Sequence, residues 1–193
     1  MTSVQSSVSN RIKAAVIFGT RYGNTEKIAR SLETGLKGSG FDTVCVDERN
    51  AAIDSLEQYD LICFGAPTEG FSAPKSMKEF LERVKTNGLS RKYGFAFDTK
   101  LDWRVSGSAA KFIEKELTEL GLQIVAPRES AIVYTLKEGG TIVGARLKEG
   151  EADRFEKIGA QIGTVLAAVR ESNNPGSSAM TGSQSRPEEA NPN

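Results

Sequence analysis

Histidine is absent from all 193 residues of the chain. That excludes Ser-His-Asp and Cys-His catalysis, His-ligated zinc and imidazole acid–base chemistry. Cysteine is nearly absent too. Cys45 and Cys63 are too few for a disulfide framework and too far apart for a CxxC redox pair. Both sit in apolar strand-like runs, where cysteine behaves as a small hydrophobe. An excess charge of either sign is missing, since 25 Lys and Arg balance 25 Asp and Glu. Binding to nucleic acid or to an anionic membrane favours a basic stripe, and this balance gives no footprint for one. No apolar run approaches the roughly 18 residues of a spanning helix, and the N-terminal MTSVQSSVSNRIK has no apolar signal core. Composition therefore predicts a soluble, cytoplasmic protein with no nucleic-acid and no membrane partner. With the self-sufficient chemistries removed, any chemistry falls to something the chain binds.

Residues 1–11 are polar and Ser-rich, and 171–193 read ESNNPGSSAMTGSQSRPEEANPN. Neither stretch can bury enough apolar surface to offset its ordering entropy, so both ends are expected to be disordered. Residues 12–170 between them make one domain. Short apolar runs recur along it: Ala14–Phe18, Thr43–Val46, Leu61–Phe64, Tyr93–Phe97, and a fifth that starts at Leu122 and resumes at Ala131–Tyr134. Such runs suit buried parallel strands. Amphipathic helical stretches alternate with them, carried by Ile28, Leu32 and Leu36, by Met77, Phe80, Leu81 and Val84, by Phe112, Ile113, Leu117 and Leu120, and by Phe155, Ile158, Ile162, Val165 and Leu166. Ile53 and Leu56 imply only a short helix. Gly38 and Gly121 stand where left-handed helix caps are expected. Five strand-then-helix units argue for an α/β fold, a doubly wound parallel sheet with helices on both faces. Residues 135–148 form an excursion in which Gly139-Gly140 could turn a small hairpin.

In such a sheet a ligand binds beyond the carboxyl ends of the strands. The loop after the first strand, Gly19–Glu26, matches neither GxGxxG nor GxxxxGK[ST]. It offers hydroxyls, an Asn, a close-approach glycine and the free N–H groups of the coming helix, which suit a phosphate monoester. The bland alternative is a helix capped by Asn24 or Thr25. The second loop, Gly65–Pro74, holds Phe71, either an exposed ring or one folded back on the core. The third, Asp98–Gly107, holds Trp103, the only tryptophan of the chain. Trp103 could stack on a planar ligand or pack beneath the loop. Together the loops describe a phosphate cradle facing two aromatic-bearing segments.

Thr20-Arg21-Tyr22-Gly23-Asn24-Thr25 resembles the flavodoxin phosphate loop T/S-x-T-G-N-T, with Tyr22 in place of the usual middle Thr. Tyr59–Thr68 is similar to the third strand and following loop of flavodoxins. Phe97-Asp98-Thr99 with Gly107–Lys111 resembles the fourth strand and the next helix. The likeness covers about 13–170. It implies a five-stranded sheet in the order 2-1-3-4-5 and FMN as cofactor. By this likeness Thr20, Tyr22, Gly23, Asn24 and Thr25 hold the 5′-phosphate, with Arg21 either pairing with it or pointing to solvent. Pro67, Thr68, Glu69, Gly70 and Phe71 lie beside the flavin, Gly70 permitting a peptide flip at N5. Backbone groups of 98–102 (Asp98, Thr99, Lys100, Leu101 and Asp102) meet the pyrimidine edge, and Trp103 covers one ring face. Glu69 occupies a position where some flavodoxins have an aromatic, which leaves the inner face to Phe71 or to backbone.

The resemblance implies an electron-transfer protein acting with a redox partner protein of unknown identity. Typical flavodoxins are strongly acidic and this chain is not, so steering toward a basic partner is weaker here. The alternatives are an NAD(P)H-dependent FMN quinone reductase and a cofactor-free docking module. A receiver domain fails for want of an acidic cluster after the first strand. A phosphatase fails for want of C-x5-R. The family's carriers are usually monomeric, which favours a monomer over a homodimer.

Overall fold

A computed structural model describes residues 11–86, 89, 91–103 and 106–173. The ends expected to be disordered lie almost wholly outside those residues, and within them the last helix runs on to Asn173. Strands β1 (Lys13–Phe18), β2 (Asp42–Asp47), β3 (Leu61–Pro67) and β4 (Tyr93–Leu101) lie parallel in the order β2-β1-β3-β4. Ala14, Val16 and Phe18 of β1 pack into one apolar layer, while Ala15 and Ile17 pack into the other. Burial on both faces is why this strand reads as an unbroken apolar run. Helices α1 (Asn24–Gly38) and α4 (Glu151–Asn173) cover the first face. The second is covered by α2 (Lys75–Lys85), α3 (Ala109–Glu119) and a 3₁₀ turn at Ile53–Gln58. No helix among the described residues is long and apolar enough to cross a membrane.

The doubly wound parallel sheet is thus present, with a correction to the strand count. The expected fifth strand is split into β5 (Gln123–Ile124), which pairs with Tyr93 and Gly94, and β6 (Glu129–Glu138), which pairs with Phe97–Leu101. Pro127 sits in the gap, where it has no N–H to give to a ladder. Beyond β4, β6 turns at Gly139–Gly140 and returns antiparallel as β7 (Thr141–Leu147). Both glycines have positive φ, 54° and 82°, as a two-residue turn between twisted strands requires. The sheet order becomes β2-β1-β3-β4-β6-β7, with β5 also paired to β4.

Two boundaries differ from expectation as well. Asp98–Leu101 continue β4 rather than forming a loop, because β6 pairs with all four and the end of β3 with Asp98 and Thr99. Gly38 is the last residue of α1, and the left-handed position falls to Gly40 at φ 87°.

Candidate cofactor site

β1, β3 and β4 end at one edge of the sheet, and the segments leaving them border an open cleft of about 240 Å³. At one end lies the turn from β1 into α1. Its N-cap is Gly23, held at φ 78°, and no side chain caps the helix. Asn24 and Thr25 do not take the capping role open to them from sequence, since both lie inside the first turn and are buried. Thr25 Oγ1 shares a hydrogen bond with Thr99 Oγ1 at 2.9 Å, and Asn24 Nδ2 donates to the Ala145 carbonyl at 2.9 Å. The Gly23 N–H donates to Thr20 Oγ1 at 3.0 Å, which closes the turn. The first-turn N–H groups are left without a capping side chain, at the positive end of the helix dipole. Such an end is a seat for an anion.

The segment after β3 is tied to β4, the Thr68 N–H donating to the Thr99 carbonyl at 2.8 Å. Arg21 Nη1 approaches Glu69 Oε1 to 3.7 Å, and its guanidinium lies 5.2 Å from the centre of the Tyr22 ring. Arg21 thus pairs with Glu69 across the cleft. Both groups are well exposed, so this ion pair is worth at most about 1 kcal/mol. Glu69 and Ser72 exchange backbone hydrogen bonds of 2.9 and 3.0 Å around Gly70 and Phe71, both at positive φ. That turn sends Phe71 outward, 65% exposed. Trp103 is 63% exposed on the segment after β4. Phe71 borders a separate groove beside Ser108 and Phe112.

Asp98 is wholly buried. Its Oδ2 accepts from Ser108 Oγ at 2.7 Å, from the Ala110 N–H at 2.9 Å and from Thr68 Oγ1 at 3.1 Å. Thr68 Oγ1 in turn accepts from the Ala109 N–H at 2.9 Å. Through Oδ2 the carboxylate therefore joins β4, the segment after β3 and the start of α3, while Oδ1 is buried without a hydrogen-bond partner.

Ten expected residues line the cleft: Thr20, Arg21, Tyr22, Asn24, Thr25, Pro67, Thr68, Glu69, Thr99 and Lys100. Gly23, Gly70, Phe71, Asp98, Asp102 and Trp103 are not part of the lining. Leu101, within the 98–102 segment expected at the ligand, lines the cleft too, and the remaining wall consists of Val133, Thr135, Ile142, Gly144 and Ala145, none of which the sequence singled out. The Gly139-Gly140 signal marks the hairpin but not the direction in which it folds.

Behind the β1–α1 turn, Glu48 is 6% exposed and its Oε2 has no partner. A Cβ on Gly19 would stand 2.9 Å from that oxygen, so the carboxylate lies directly against the turn. Burial, with a smaller push from Asp47, raises the Glu48 carboxyl above its ordinary 4.5 against the hydrogen bond from Ser76 and the charges of Arg49 and Arg83. A carboxyl raised on folding favours the native state below its unfolded value, and that advantage is lost as pH rises through the native value. Glu48→Gln should therefore raise the urea midpoint at pH 8, with the gain over wild type shrinking steadily toward pH 4. A gain independent of pH would show that Glu48 titrates normally. Burial likewise pushes the Cys45 thiol up to about 12 and Cys63 higher still, so neither is a thiolate at neutral pH.

A doubly wound sheet with an uncapped helix N-terminus opening on a cleft at the strand ends defines a protein that binds a phosphate ester by its fold's own edge. The comparisons with known proteins agree. A family model described as Flavodoxin matches residues 16–158. The chain is 29% identical over 121 residues to a putative diflavin flavoprotein of Synechocystis, covering 61% of this chain and 20% of that one. It is 25% identical over 158 residues to flavodoxin FldP of Pseudomonas aeruginosa, covering 80% of each. An archaeal flavodoxin structure superposes with a TM-score of 0.66 at 19% identity, covering 80% of this chain and 99% of that one. The chain thus spans between a fifth and about a third of the diflavin flavoproteins it matches. It belongs to the flavodoxin family, whose cofactor is FMN. The donor set fits that group: the cleft is lined by the hydroxyl-bearing start of α1 with its uncapped N–H groups and by an apolar wall of Leu101, Val133 and Ile142.

Proposed function

We propose that the chain is an FMN-dependent electron carrier that docks on a redox partner protein. The observation that carries this reading is the uncapped N-terminus of α1 at the end of the cleft. FMN, when bound, supplies one- and two-electron redox chemistry that no side chain here can supply. The chain's own part is to hold and shield it. The first-turn N–H groups of α1 and the Thr20 and Thr25 region take the phosphate, Thr68 and backbone of 98–102 border the ring, and Phe71 and Trp103 stand exposed outside the cleft lining. The titratable groups lining the cleft are Arg21, Tyr22, Glu69 and Lys100, and the first and third of these pair with each other. None is a buried acid or base placed to work on a second substrate, which favours a carrier over a quinone reductase. The two free thiols suit a reducing, cytoplasmic setting. With zero net charge, docking should depend only weakly on salt, and the carrier is read as a monomer.

The test is a visible spectrum of the purified protein, then FMN titration against Trp103 fluorescence and a steady-state assay with NAD(P)H. Flavin absorption, saturable quenching and no sustained NAD(P)H oxidation are the expected results. Rapid NAD(P)H turnover would make the chain a reductase, and no FMN binding would leave a docking module.

A further inference from the structure

The hairpin wall has two features that the phosphate turn does not explain. The first is a register shift between Leu136 and Lys137: Thr135 faces Ala145 and Leu136 faces Gly144, but Lys137 faces Ile142. One extra residue on β7 changes which side chain points inward. Regular alternation from Ala145 would turn Val143 toward the cleft. With the shift it is Ile142 that lines the cleft, and Val143 does not. Bulges next to binding sites re-aim side chains in this way. The second feature is the bond from Asn24 Nδ2 to the Ala145 carbonyl, which crosses 121 residues of sequence and joins the first turn of α1 to β7. Asn24 is 5% exposed, so this amide is committed to the hairpin rather than held out toward solvent.

We propose that Asn24 is a positioning residue for the hairpin, and that the bulged hairpin, through Ile142, is the apolar wall against the ring system of the flavin. This rests on FMN binding at the cleft and assigns the Asn24 side chain, as distinct from its backbone N–H, to the ring end of the ligand rather than to its phosphate. The hairpin needs such a tie. β4 ends at Leu101 opposite Val133, so beyond that point β6 and β7 pair only with each other. A two-stranded ribbon is marginal on its own in water. Fixing its carbonyl to the buried end of α1 holds Ile142 in place.

The test compares FMN with riboflavin, which has the same ring and no phosphate. In wild type, riboflavin binds more weakly than FMN. Ile142→Ser, a half-exposed site that leaves the core intact, should weaken both ligands by the same factor, roughly tenfold for the loss of a buried aliphatic contact. Asn24→Ala should also weaken both equally, by roughly fivefold for one hydrogen bond. The double variant should lose little more than Ile142→Ser alone, because a released hairpin no longer presents Ile142. Gly23→Val, which disturbs the anion seat, should weaken FMN while sparing riboflavin. Loss of FMN affinity alone in Asn24→Ala, or fully additive losses in the double variant, would overturn the proposal. So would Ile142→Ser binding both flavins as wild type does. If wild type binds neither flavin, it is the FMN reading that fails.

Discussion

Asp98→Ala is expected to lower the unfolding free energy by about 3 kcal/mol and to cut FMN affinity more than tenfold, because one buried carboxylate holds together two segments that border the cleft. Removing Oδ2 strands the buried Ala110 N–H and leaves the Ser108 and Thr68 hydroxyls without their acceptor. Each orphaned buried donor costs about 1–3 kcal/mol, and hydroxyls can partly rotate to new partners, so the total stays near the lower end of the sum. The consequences spread through Thr68, whose hydroxyl caps the Ala109 N–H and whose own N–H reaches the Thr99 carbonyl. With Thr68 released, the segment after β3 and the end of β4 lose their mutual register at the edge of the cleft. Asp98→Asn is the informative companion. Its carbonyl can accept the same three bonds, so most stability should return, and with it the affinity. Urea unfolding and FMN titration well below the melting temperature measure the two effects separately. An Asp98→Ala protein that is destabilised but binds FMN like wild type would show that Asp98 only caps α3.

The contrast between what the sequence reveals at this site and what it hides follows from contact range. The β1–α1 turn is legible because its chemistry is local: an apolar run, a glycine at positive φ and a helix start lie within about ten consecutive residues. The Gly139–Gly140 turn is legible for the same reason. The end of β4 is not, since Asp98–Leu101 extend as a strand by pairing with Ala66 and Pro67 of β3, about thirty residues earlier, and with Ser130–Val133 of β6, about thirty residues later. The Asp98 carboxylate reads from sequence as a loop group near a ligand, and becomes a buried hub only when Thr68 and Ser108 converge on it. The bulge that turns Ile142 inward has no composition of its own, being a mismatch between two strands. Phe71 and Trp103 are visible as odd residues in loops, but whether a ring faces outward is decided by turn geometry. At Phe71 that geometry is a left-handed backbone, which the sequence Glu-Gly-Phe-Ser does not dictate.

Gly35→Val should lower stability by about 3 kcal/mol while leaving FMN affinity of the folded fraction nearly unchanged. A Cβ at Gly35 would stand 1.9 Å from the Glu156 carbonyl oxygen and 2.7 Å from the Ala160 nitrogen, both backbone atoms of α4. At Gly159, the reciprocal position, a Cβ would stand 2.4 Å from the Leu32 carbonyl oxygen. Two helices that touch backbone to backbone cannot absorb a side chain by rotamer changes, so α4 must lift. Lifting it uncovers the layer formed by Leu32, Leu36, Phe155 and Ile162 and breaks the bond from Ser39 Oγ to the Ala160 carbonyl, 3.1 Å long. This contact lies about three turns along α1 from the anion seat at its start, so the free N–H groups of Asn24–Glu26 keep their places as long as the helix survives. Gly35→Ala, which adds only the methyl, should show the same split at smaller size. Measured together with Asp98→Ala, these variants separate the scaffold from the site. An FMN affinity loss in Gly35→Val that matches its loss of stability would mean that the α1–α4 contact, and not the helix end alone, sets the phosphate seat.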